Sequence, residues 1–226
     1  MTSPTSIDPR RVLILGAGPG LGAAVARRFG REGFAVSLVA RRGQALTELA
    51  DQLRSTGITV DTVTADAADP HGFRNVLEDL AERITPGVVV YNAALIASDN
   101  VLTSDTQYLL DTYAIDVLGA ISAAQVFTPA MRQAGHGTFL ATGGYAGVDP
   151  QPAYATISLG KAGLRAAVSL MHDELKTDGV HAASVTVAGA IAAGTPMDPD
   201  RIADTYWSLH THPAGDWTSE TYFDGQ

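Results

Sequence analysis

Residues 12–22 of this chain read VLILGAGPGLG. The four apolar residues at the start of this stretch are typical of a short strand that is buried on both faces of a sheet. The glycines that follow permit a sharp turn and a close approach of the backbone to a ligand, and a helical pattern comes next. Free N–H groups at a helix start attract phosphate, so the stretch predicts a dinucleotide-binding turn. A purely structural glycine turn is the alternative.

Strand and helix patterns alternate over the rest of the chain. Asp69 and Pro70 suit the N-cap and the first position of a helix, and Thr128-Pro129 suggests a break in a later one. The alternation predicts an α/β fold, a doubly wound parallel sheet of the Rossmann type. We expect a single domain at residues 11–226, ending in a short C-terminal substrate segment, behind a flexible tail at residues 1–10. Further strands are predicted at residues 34–40, 58–65, 88–91, 138–142, 180–188 and 221–223, and helices at 23–32, 44–55, 69–84, 105–133, 153–177 and 200–209.

The composition narrows the classes of partner. Of the 226 residues, 46% are hydrophobic and 17% are charged, which is enough apolar material for a buried core. A net charge of −9 argues against nucleic acid and anionic membrane surfaces as partners. The chain has no cysteine, no histidine pair at metal-ligand spacing beside a carboxylate, and no apolar segment typical of a secretion signal or a membrane span. We therefore expect a cytoplasmic, metal-free protein that acts on a small molecule.

Several separate motifs resemble those of the short-chain dehydrogenase/reductase family. Residues 16–22 match its glycine turn, with Leu15 where a threonine usually stands. The segment Tyr-Asn-Ala-Ala at residues 91–94 is similar to the family's Asn-Asn-Ala-Gly, and Lys161 with the Ala-Gly-Leu that follows is similar to the segment of the active-site lysine. The resemblance implies an oxidoreductase that uses a nicotinamide dinucleotide.

The turn and the resemblance together predict a set of cofactor-binding residues. Asp66 stands where the family has an aspartate that bonds the adenine. Residues 189–191 resemble the loop beside the nicotinamide, with Ala188 in place of its proline. The predicted residues are Gly16, Gly18, Pro19, Gly20, Leu21, Gly22, Arg41, Arg42, Asp66, Ala67, Asn92, Ala93, Lys161, Gly189 and Ile191.

The end of the second strand favours the phosphorylated dinucleotide. An NAD site usually has an Asp or Glu here that accepts from both ribose hydroxyls, and this chain has Arg41 and Arg42 instead. A guanidinium is planar and permanently charged, so it suits a 2′-phosphate. Two solvated arginines are the alternative, but cations at a helix start are mildly unfavourable without an anion. We predict NADP(H) as the cofactor.

The catalytic pattern of the family is mostly absent. Its reacting tyrosine stands four residues before the lysine, so both share a helix face and the ammonium lowers the pKa of the phenol. In this chain that position is Ile157, the serine that would hold the substrate oxygen is Gly144, and the helix asparagine is Asp116. Of the four positions only Lys161 keeps its residue, and Asp116 could pair with it.

Nearby residues offer other proton donors. Tyr154 lies seven residues before Lys161, nearly two helical turns, so the two are predicted to share a face although the phenol leans away from the ammonium. Ser158 is a weak acid, and Tyr145 lies in the loop over the site. We take Lys161, Tyr154 and Asp116 as the predicted catalytic residues. A packing role for Tyr154 and a solvated helix position for Lys161 are the alternatives.

These observations leave three functions open. The first is an NADP(H)-dependent oxidoreductase with a non-standard proton donor and a small substrate that needs no strong acid, such as an imine, an activated alkene or a quinone-like carbonyl. The second is a catalytically silent dinucleotide-binding protein, a sensor or a partner subunit. The third is a non-redox enzyme that reuses the pocket. The resemblance also implies that the two long helices pair across a two-fold axis, hence a homodimer or homotetramer. Burial of their alanine-rich face within the monomer is the alternative.

Overall fold

Strands and helices alternate along residues 7–226, which are the residues that this computed structural model describes. Each predicted strand and helix has a counterpart. The strands are β1 (Asp8–Leu15), β2 (Ala35–Ala40), β3 (Val60–Thr64), β4 (Pro86–Tyr91), β5 (Gly137–Gly144), β6 (Val180–Val187) and β7 (Glu220–Phe223). The α-helices are α1 (Leu21–Arg31), α2 (Gly43–Ser55), α3 (Pro70–Ala81), α4 (Thr106–Tyr113), α5 (Gly119–Ala134), α6 (Ala155–Leu175) and α7 (Pro199–Thr211).

The strands form one parallel sheet in the order β3-β2-β1-β4-β5-β6-β7. The chain adds β2 and β3 on one side of β1 and then returns to add the remaining strands on the other side. This is the doubly wound Rossmann-type sheet that the sequence predicts, and that prediction is confirmed. Such a sheet has a crevice at the point where the strand order reverses, here at the carboxyl ends of β1 and β4.

Successive residues of β1 point to opposite faces of the sheet, so this one strand contributes to two apolar cores. Val12 and Ile14 pack with residues of α1, α2 and α7, whereas Leu13 and Leu15 pack with residues of α3, α5 and α6. All four side chains are fully buried. An apolar run without polar alternation is what a strand covered by helices on both faces requires.

The flexible tail predicted for residues 1–10 is wrong for its last three residues. β1 begins at Asp8, whose N–H donates to Thr85 O at 2.7 Å, and its register against β4 shifts between Asp8 and Val12. Arg11 forms ion pairs with Asp8 and Asp61. Polar residues enter the strand because backbone pairing and ion pairs take the place of apolar contacts there. Residues 1–6 lie outside the described residues.

The long helix predicted at residues 105–133 is continuous over Thr106–Ala134 and is not broken near Pro129. Residues 114–118 form a π-helical turn between α4 and α5, and Pro129 lies inside α5 without ending it. The prediction was wrong because a proline removes one helical hydrogen bond and can kink a helix, yet need not end it. The π turn contains Asp116, and turns of this kind inside helices are frequent at functional sites.

One helical region, Thr106–Ala134, could cross a membrane by length and composition alone. Of its most apolar window, 61% is buried inside the protein. The core helix of a protein without a membrane span can be equally long and apolar, so these two properties are weak evidence for a membrane span. The expected absence of a membrane partner stays a prediction.

Candidate functional site

The glycine-rich turn and Asn92 meet at the carboxyl edge of the sheet, between β1 and β4. The N–H groups of Gly16 and of the next residue donate to Val39 O on β2, at 2.9 and 3.0 Å. Asn92 N–H donates to Leu15 O at 2.7 Å, and Asn92 Nδ2 donates to Gly16 O at 2.9 Å. The backbone of Ala93 lies directly against Gly16. The ends of three strands are therefore tied together where the sequence predicts the pyrophosphate turn.

The turn contains two packed glycines and two open ones. Gly16 has a φ of +92°, and a Cβ there would overlap the backbone after β4. A Cβ on Gly22 would lie 3.0 Å from Gly16 O, whereas a Cβ on Gly18 or Gly20 would have no atom within 4 Å. The exposed Pro19 stands between these open glycines. The space above the start of α1 therefore fits a pyrophosphate that faces the first N–H groups of that helix.

Other predicted cofactor residues follow further strands at the same edge. Asp66 is exposed after β3, and its Oδ1 accepts from the N–H two residues later at 3.0 Å. Gly189 and Ile191 are exposed in the loop after β6. Ala67 and Leu21 are buried in the two apolar cores. Their side chains serve packing, so only their backbones could face a ligand.

Arg41 and Arg42 are exposed between β2 and α2. Arg42 is the N-cap residue of α2, and the first turn of that helix has no acidic side chain. In the described part of the chain, neither guanidinium has a hydrogen bond or an ion pair. Two unpaired cations at a helix start leave a place for an anion.

Lys161 is buried at the carboxyl end of β5, so the solvated position considered for it is wrong. Its Nζ donates to Thr142 O at 2.6 Å. Burial lowers the pKa of the ammonium, and the charge of Asp116 acts in the opposite direction. The lysine side chain runs beside Gly144, where an added Cβ would lie 3.4 Å from Lys161 Cγ. Lys161 therefore stands next to the position from which the family's serine is missing.

Asp116 is fully buried in the π turn. Its Oδ1 accepts from Leu95 N–H at 3.0 Å, and its Oδ2 has no hydrogen-bond partner among the described residues. Burial raises the pKa of this carboxyl to about 6, although the charge of Lys161 acts to lower it. The predicted direct pairing with Lys161 is wrong, because the ammonium reaches the β5 carbonyl while Asp116 packs against Gly160 of α6. The two charges interact without forming an ion pair.

Tyr154 does not share a helix face with Lys161, which corrects the geometry expected from sequence. It is the N-cap residue of α6, with φ −138° and ψ 54°, and 45% of it is exposed. The helix begins at the next residue, Ala155, and the hydroxyl of Ser158 donates to Tyr154 O and accepts from Gln151 N–H. Ser158 is thus occupied at the helix start, and Tyr154 can approach a substrate only from the loop.

Ile157 occupies the position of the family's reacting tyrosine, and Tyr145 lies on the turn that follows β5. Ile157 is buried one turn before Lys161, so an apolar side chain fills the place of the reacting phenol. Tyr145 is exposed on the 3₁₀ turn at residues 145–147 that follows β5. Whether Tyr145 or Tyr154 takes part in catalysis stays a prediction.

A cap on α6 was missed from the sequence. Asp99, in the loop after β4, accepts through Oδ1 from Thr156 N–H at 3.1 Å, and its Oδ2 accepts from the hydroxyls of Thr156 and Tyr108. Partial burial acts to raise the pKa of Asp99, but these hydrogen bonds outweigh it and hold the pKa below its ordinary value. Capping from a distant loop fixes the start of the helix that carries Lys161.

The parallel sheet, the glycine-rich turn at its switch point and the buried lysine define a doubly wound α/β protein. The chain belongs to the short-chain dehydrogenase family, whose model matches residues 10–204. The match includes the glycine turn, Asn92 and Lys161. The resemblance drawn from the sequence motifs is therefore confirmed.

Curated relatives belong to the same broad class of oxidoreductases. The chain is 31% identical over 209 residues to an uncharacterized oxidoreductase in the mprA 5′ region of Streptomyces coelicolor, covering 91% of this chain and 82% of that protein. It is 26% identical over 219 residues to a fatty acyl-CoA reductase of Mycobacterium tuberculosis, covering 95% and 74%. A very-long-chain 3-oxoacyl-CoA reductase of Aspergillus oryzae is 29% identical over 174 residues, covering 74% of this chain. This chain spans 50% of the length of that relative.

Solved structures share the fold over nearly the whole chain. L-Sorbose reductase from Gluconobacter frateurii, complexed with NADPH and L-sorbose, has a TM-score of 0.88 at 21% identity, covering 99% of this chain and 98% of that one. A metagenomic short-chain oxidoreductase in complex with NADP has a TM-score of 0.84 at 23% identity, covering 96% and 97%. At these identities the likeness concerns the fold alone.

Proposed function

We propose that this chain is an NADP(H)-dependent oxidoreductase that acts on a small organic substrate with a non-standard proton donor. The observation that carries the proposal is the position of Lys161, whose ammonium is buried at the same sheet edge as the glycine turn. The family resemblance implies that this lysine holds the nicotinamide ribose. Relatives named as reductases, and fold neighbours described with NADP or NADPH bound, support the same class of activity.

The residues at this edge fit NADP(H), which supplies or accepts a hydride when bound. The open glycines and the first N–H groups of α1 would hold the pyrophosphate. Arg41, with no partner among the described residues, would hold the 2′-phosphate through a charge-assisted fork. Asp66 would bond the adenine and Lys161 the ribose, as the resemblance implies.

The proton has to come from a group other than the residue four before the lysine, because Ile157 has no acidic hydrogen. Tyr154 and Tyr145 are exposed near this edge, and they are the side-chain candidates beside water. A pKa of about 6 lets Asp116 exchange a proton near neutral pH, close to Lys161. This set suits a substrate that needs no strong acid: an imine, an activated alkene or a quinone-like carbonyl.

An absorbance assay with purified protein tests the proposal. NADPH is mixed with a panel of carbonyl, imine and enone compounds, and loss of the nicotinamide absorbance is followed over time. We expect turnover of at least one compound. This turnover should be lost in the Lys161→Met variant, which keeps a long side chain but removes the positive charge. No absorbance loss across the panel would contradict the proposed activity.

A catalytically silent binding protein is the second candidate, and the specific observation in its favour is the loss of both the tyrosine and the serine positions, at Ile157 and Gly144. This candidate predicts tight NADPH binding without turnover on any compound. A non-redox enzyme differs again, because it would convert a substrate while the nicotinamide absorbance stays constant.

We also propose a cytoplasmic homo-oligomer, a homodimer or homotetramer. Apolar side chains are exposed on α4 and α6, at Leu110, Tyr113, Leu159 and Leu170. The resemblance implies that these helical regions pair across a two-fold axis.

Among residues 7–226, no three His, Cys, Asp or Glu side chains are grouped to hold a metal ion. The expected absence of metal and of nucleic acid stays a prediction.

A further inference from the structure

Thr142 on β5 has polar contacts with three different parts of the site. Its carbonyl accepts from Lys161 Nζ at 2.6 Å. Its Oγ1 lies 2.8 Å from Asn92 Oδ1 and 2.7 Å from the hydroxyl of Tyr206 on α7. Thr142 and Tyr206 are both buried. One residue therefore contacts the lysine, the asparagine that holds the glycine turn, and the last helix.

The direction of each hydrogen bond follows from which atoms can donate. Gly16 O can only accept, so the Asn92 atom that faces it is Nδ2, and Oδ1 faces Thr142. Because Oδ1 can only accept, Thr142 donates its single hydroxyl proton to it. Tyr206 must then donate to Thr142 Oγ1. Burial raises the pKa of Tyr206, so the phenol keeps this proton.

We infer that the hydroxyl of Thr142 is a positioning group for the cofactor turn, because it holds Asn92 in the orientation that fixes Gly16. This inference rests on the proposed function, since it takes NADP(H) as the ligand of the turn. Without the hydroxyl, Asn92 Oδ1 and the Tyr206 phenol would lose a buried partner. Asn92 would then no longer be held against Gly16 O, and the turn would lose the shape that suits a pyrophosphate.

Thr138 provides a matched control on the same strand and the same helix. It lies four residues before Thr142, so both side chains are on one face of β5. Thr138 is equally buried, and its Oγ1 lies 2.9 Å from His210 Nδ1 on α7. The two threonines thus hold the same helix through one hydroxyl each. Of the two threonines, only Thr142 also donates to Asn92, which in turn donates to the glycine turn at Gly16 O.

The first test compares NADPH affinity, by fluorescence titration, among four variants. We expect Thr142→Val to raise the Kd for NADPH about fivefold or more, and Tyr206→Phe, which leaves Thr142 donating to Asn92 Oδ1, to raise it less. Thr142→Ser keeps the hydroxyl and should bind like the wild type. Thr138→Val should also bind like the wild type, although it loses a comparable buried hydrogen bond. Equal losses of affinity in Thr138→Val and Thr142→Val, or no loss in either, would overturn the inference.

A second measurement separates this inference from the proposed function. Hydrogen–deuterium exchange without cofactor is followed in a peptide that covers residues 16–22. We expect faster exchange in Thr142→Val than in the wild type, restoration in Thr142→Ser and no change in Thr138→Val. Unchanged exchange in Thr142→Val would refute the coupling. Faster exchange in a protein that binds no NADPH would support the coupling and refute the cofactor assignment alone.

Discussion

Arg41 is the residue that we propose distinguishes NADP(H) from NAD(H). A charged hydrogen bond to a 2′-phosphate contributes about 1.5–3 kcal/mol, so Arg41→Ala should raise the Kd for NADPH about 10- to 100-fold. The Kd for NADH, which lacks that phosphate, should not change. Titration of both dinucleotides measures the difference, with Arg31→Ala, an exposed arginine at the end of α1, as the control. Equal weakening for both dinucleotides would contradict this role.

The second prediction concerns the buried carboxyl of Asp116, whose pKa of about 6 lies above the ordinary 3.8. The folded protein binds this proton more tightly than the unfolded chain does. The contribution of this proton to the free energy of unfolding is complete below about pH 4 and is lost as the pH rises through about 6. We expect the wild type to lose about 3 kcal/mol of unfolding free energy over this range relative to Asp116→Asn. Urea unfolding across the pH series measures it.

Asp99→Asn is the opposite-sign control for that series. The pKa of Asp99 is lowered in the fold, so its contribution is present above the ordinary value and is lost as the pH falls through the lowered one. The two variants should therefore change the pH profile in opposite directions. Parallel profiles for Asp116→Asn and the wild type would show that the buried carboxyl does not titrate as described.

Restoring the missing acid is the third prediction. An added Cβ at Gly144 would make only ordinary contact with the Lys161 side chain, so a serine can be accommodated there. Ile157→Tyr would place a phenol one helical turn before the ammonium. We expect the double variant to reduce simple carbonyls at least about 100-fold faster than the wild type, since general acid catalysis contributes about that much. Ile157→Phe with Gly144→Ser fills the same space without the acid, and an equal gain in that variant would contradict the explanation.

The start of α6 depends on Asp99, a residue 57 positions away from the Thr156 it caps. Losing a helix cap costs about 1 kcal/mol, so Asp99→Ala should lower the unfolding free energy by about that amount at neutral pH. It should also speed hydrogen exchange at residues 155–158. Asp69→Ala removes the cap of α3 instead and should leave exchange at α6 unchanged. Unchanged exchange at α6 in Asp99→Ala would exclude the cap.

Local sequence patterns were sufficient to predict most strands and helices. Parallel strands that helices cover on both faces are continuous apolar runs, such as residues 12–15. The local patterns were insufficient to predict the π turn at residues 114–118, where Asp116 packs against Gly160 of another helix. They also extended α6 over Tyr154. The hydroxyl of Ser158 bonds the backbone of residues 151 and 154 there, and the helix begins at Ala155, two residues after the predicted start, which helical periodicity does not register.

Across the molecule, the predictable part of the site is the part that backbone geometry dictates. Gly16 needs a positive φ and space against β4, so the turn is readable from its glycines. The contacts of Thr142 are not readable in this way, because Tyr206 is 64 residues away and only the sheet order brings them together. The role of Asp116 could be suspected from its position, but its raised pKa comes from burial.

Assembly is the prediction that belongs to the whole molecule. Leu159 and Leu170 are 51% and 66% exposed on α6, so a charge at each should prevent helix pairing. We expect light scattering to show a dimer or tetramer for the wild type and a monomer for Leu159→Glu with Leu170→Glu, with similar thermal unfolding. Leu102→Glu, at the most exposed leucine of the loop after β4, is the control. A monomeric wild type would contradict the proposed assembly.

We propose that the edge formed by the glycine turn, Arg41 and Lys161 binds the phosphorylated dinucleotide. Titration of the wild-type protein with NADPH and with NADH, side by side and at one ionic strength, tests this preference. We expect saturable binding of both dinucleotides, with NADPH at least about tenfold tighter, which corresponds to about 1.4 kcal/mol. Equal or tighter binding of NADH, or no binding of either dinucleotide, would contradict it.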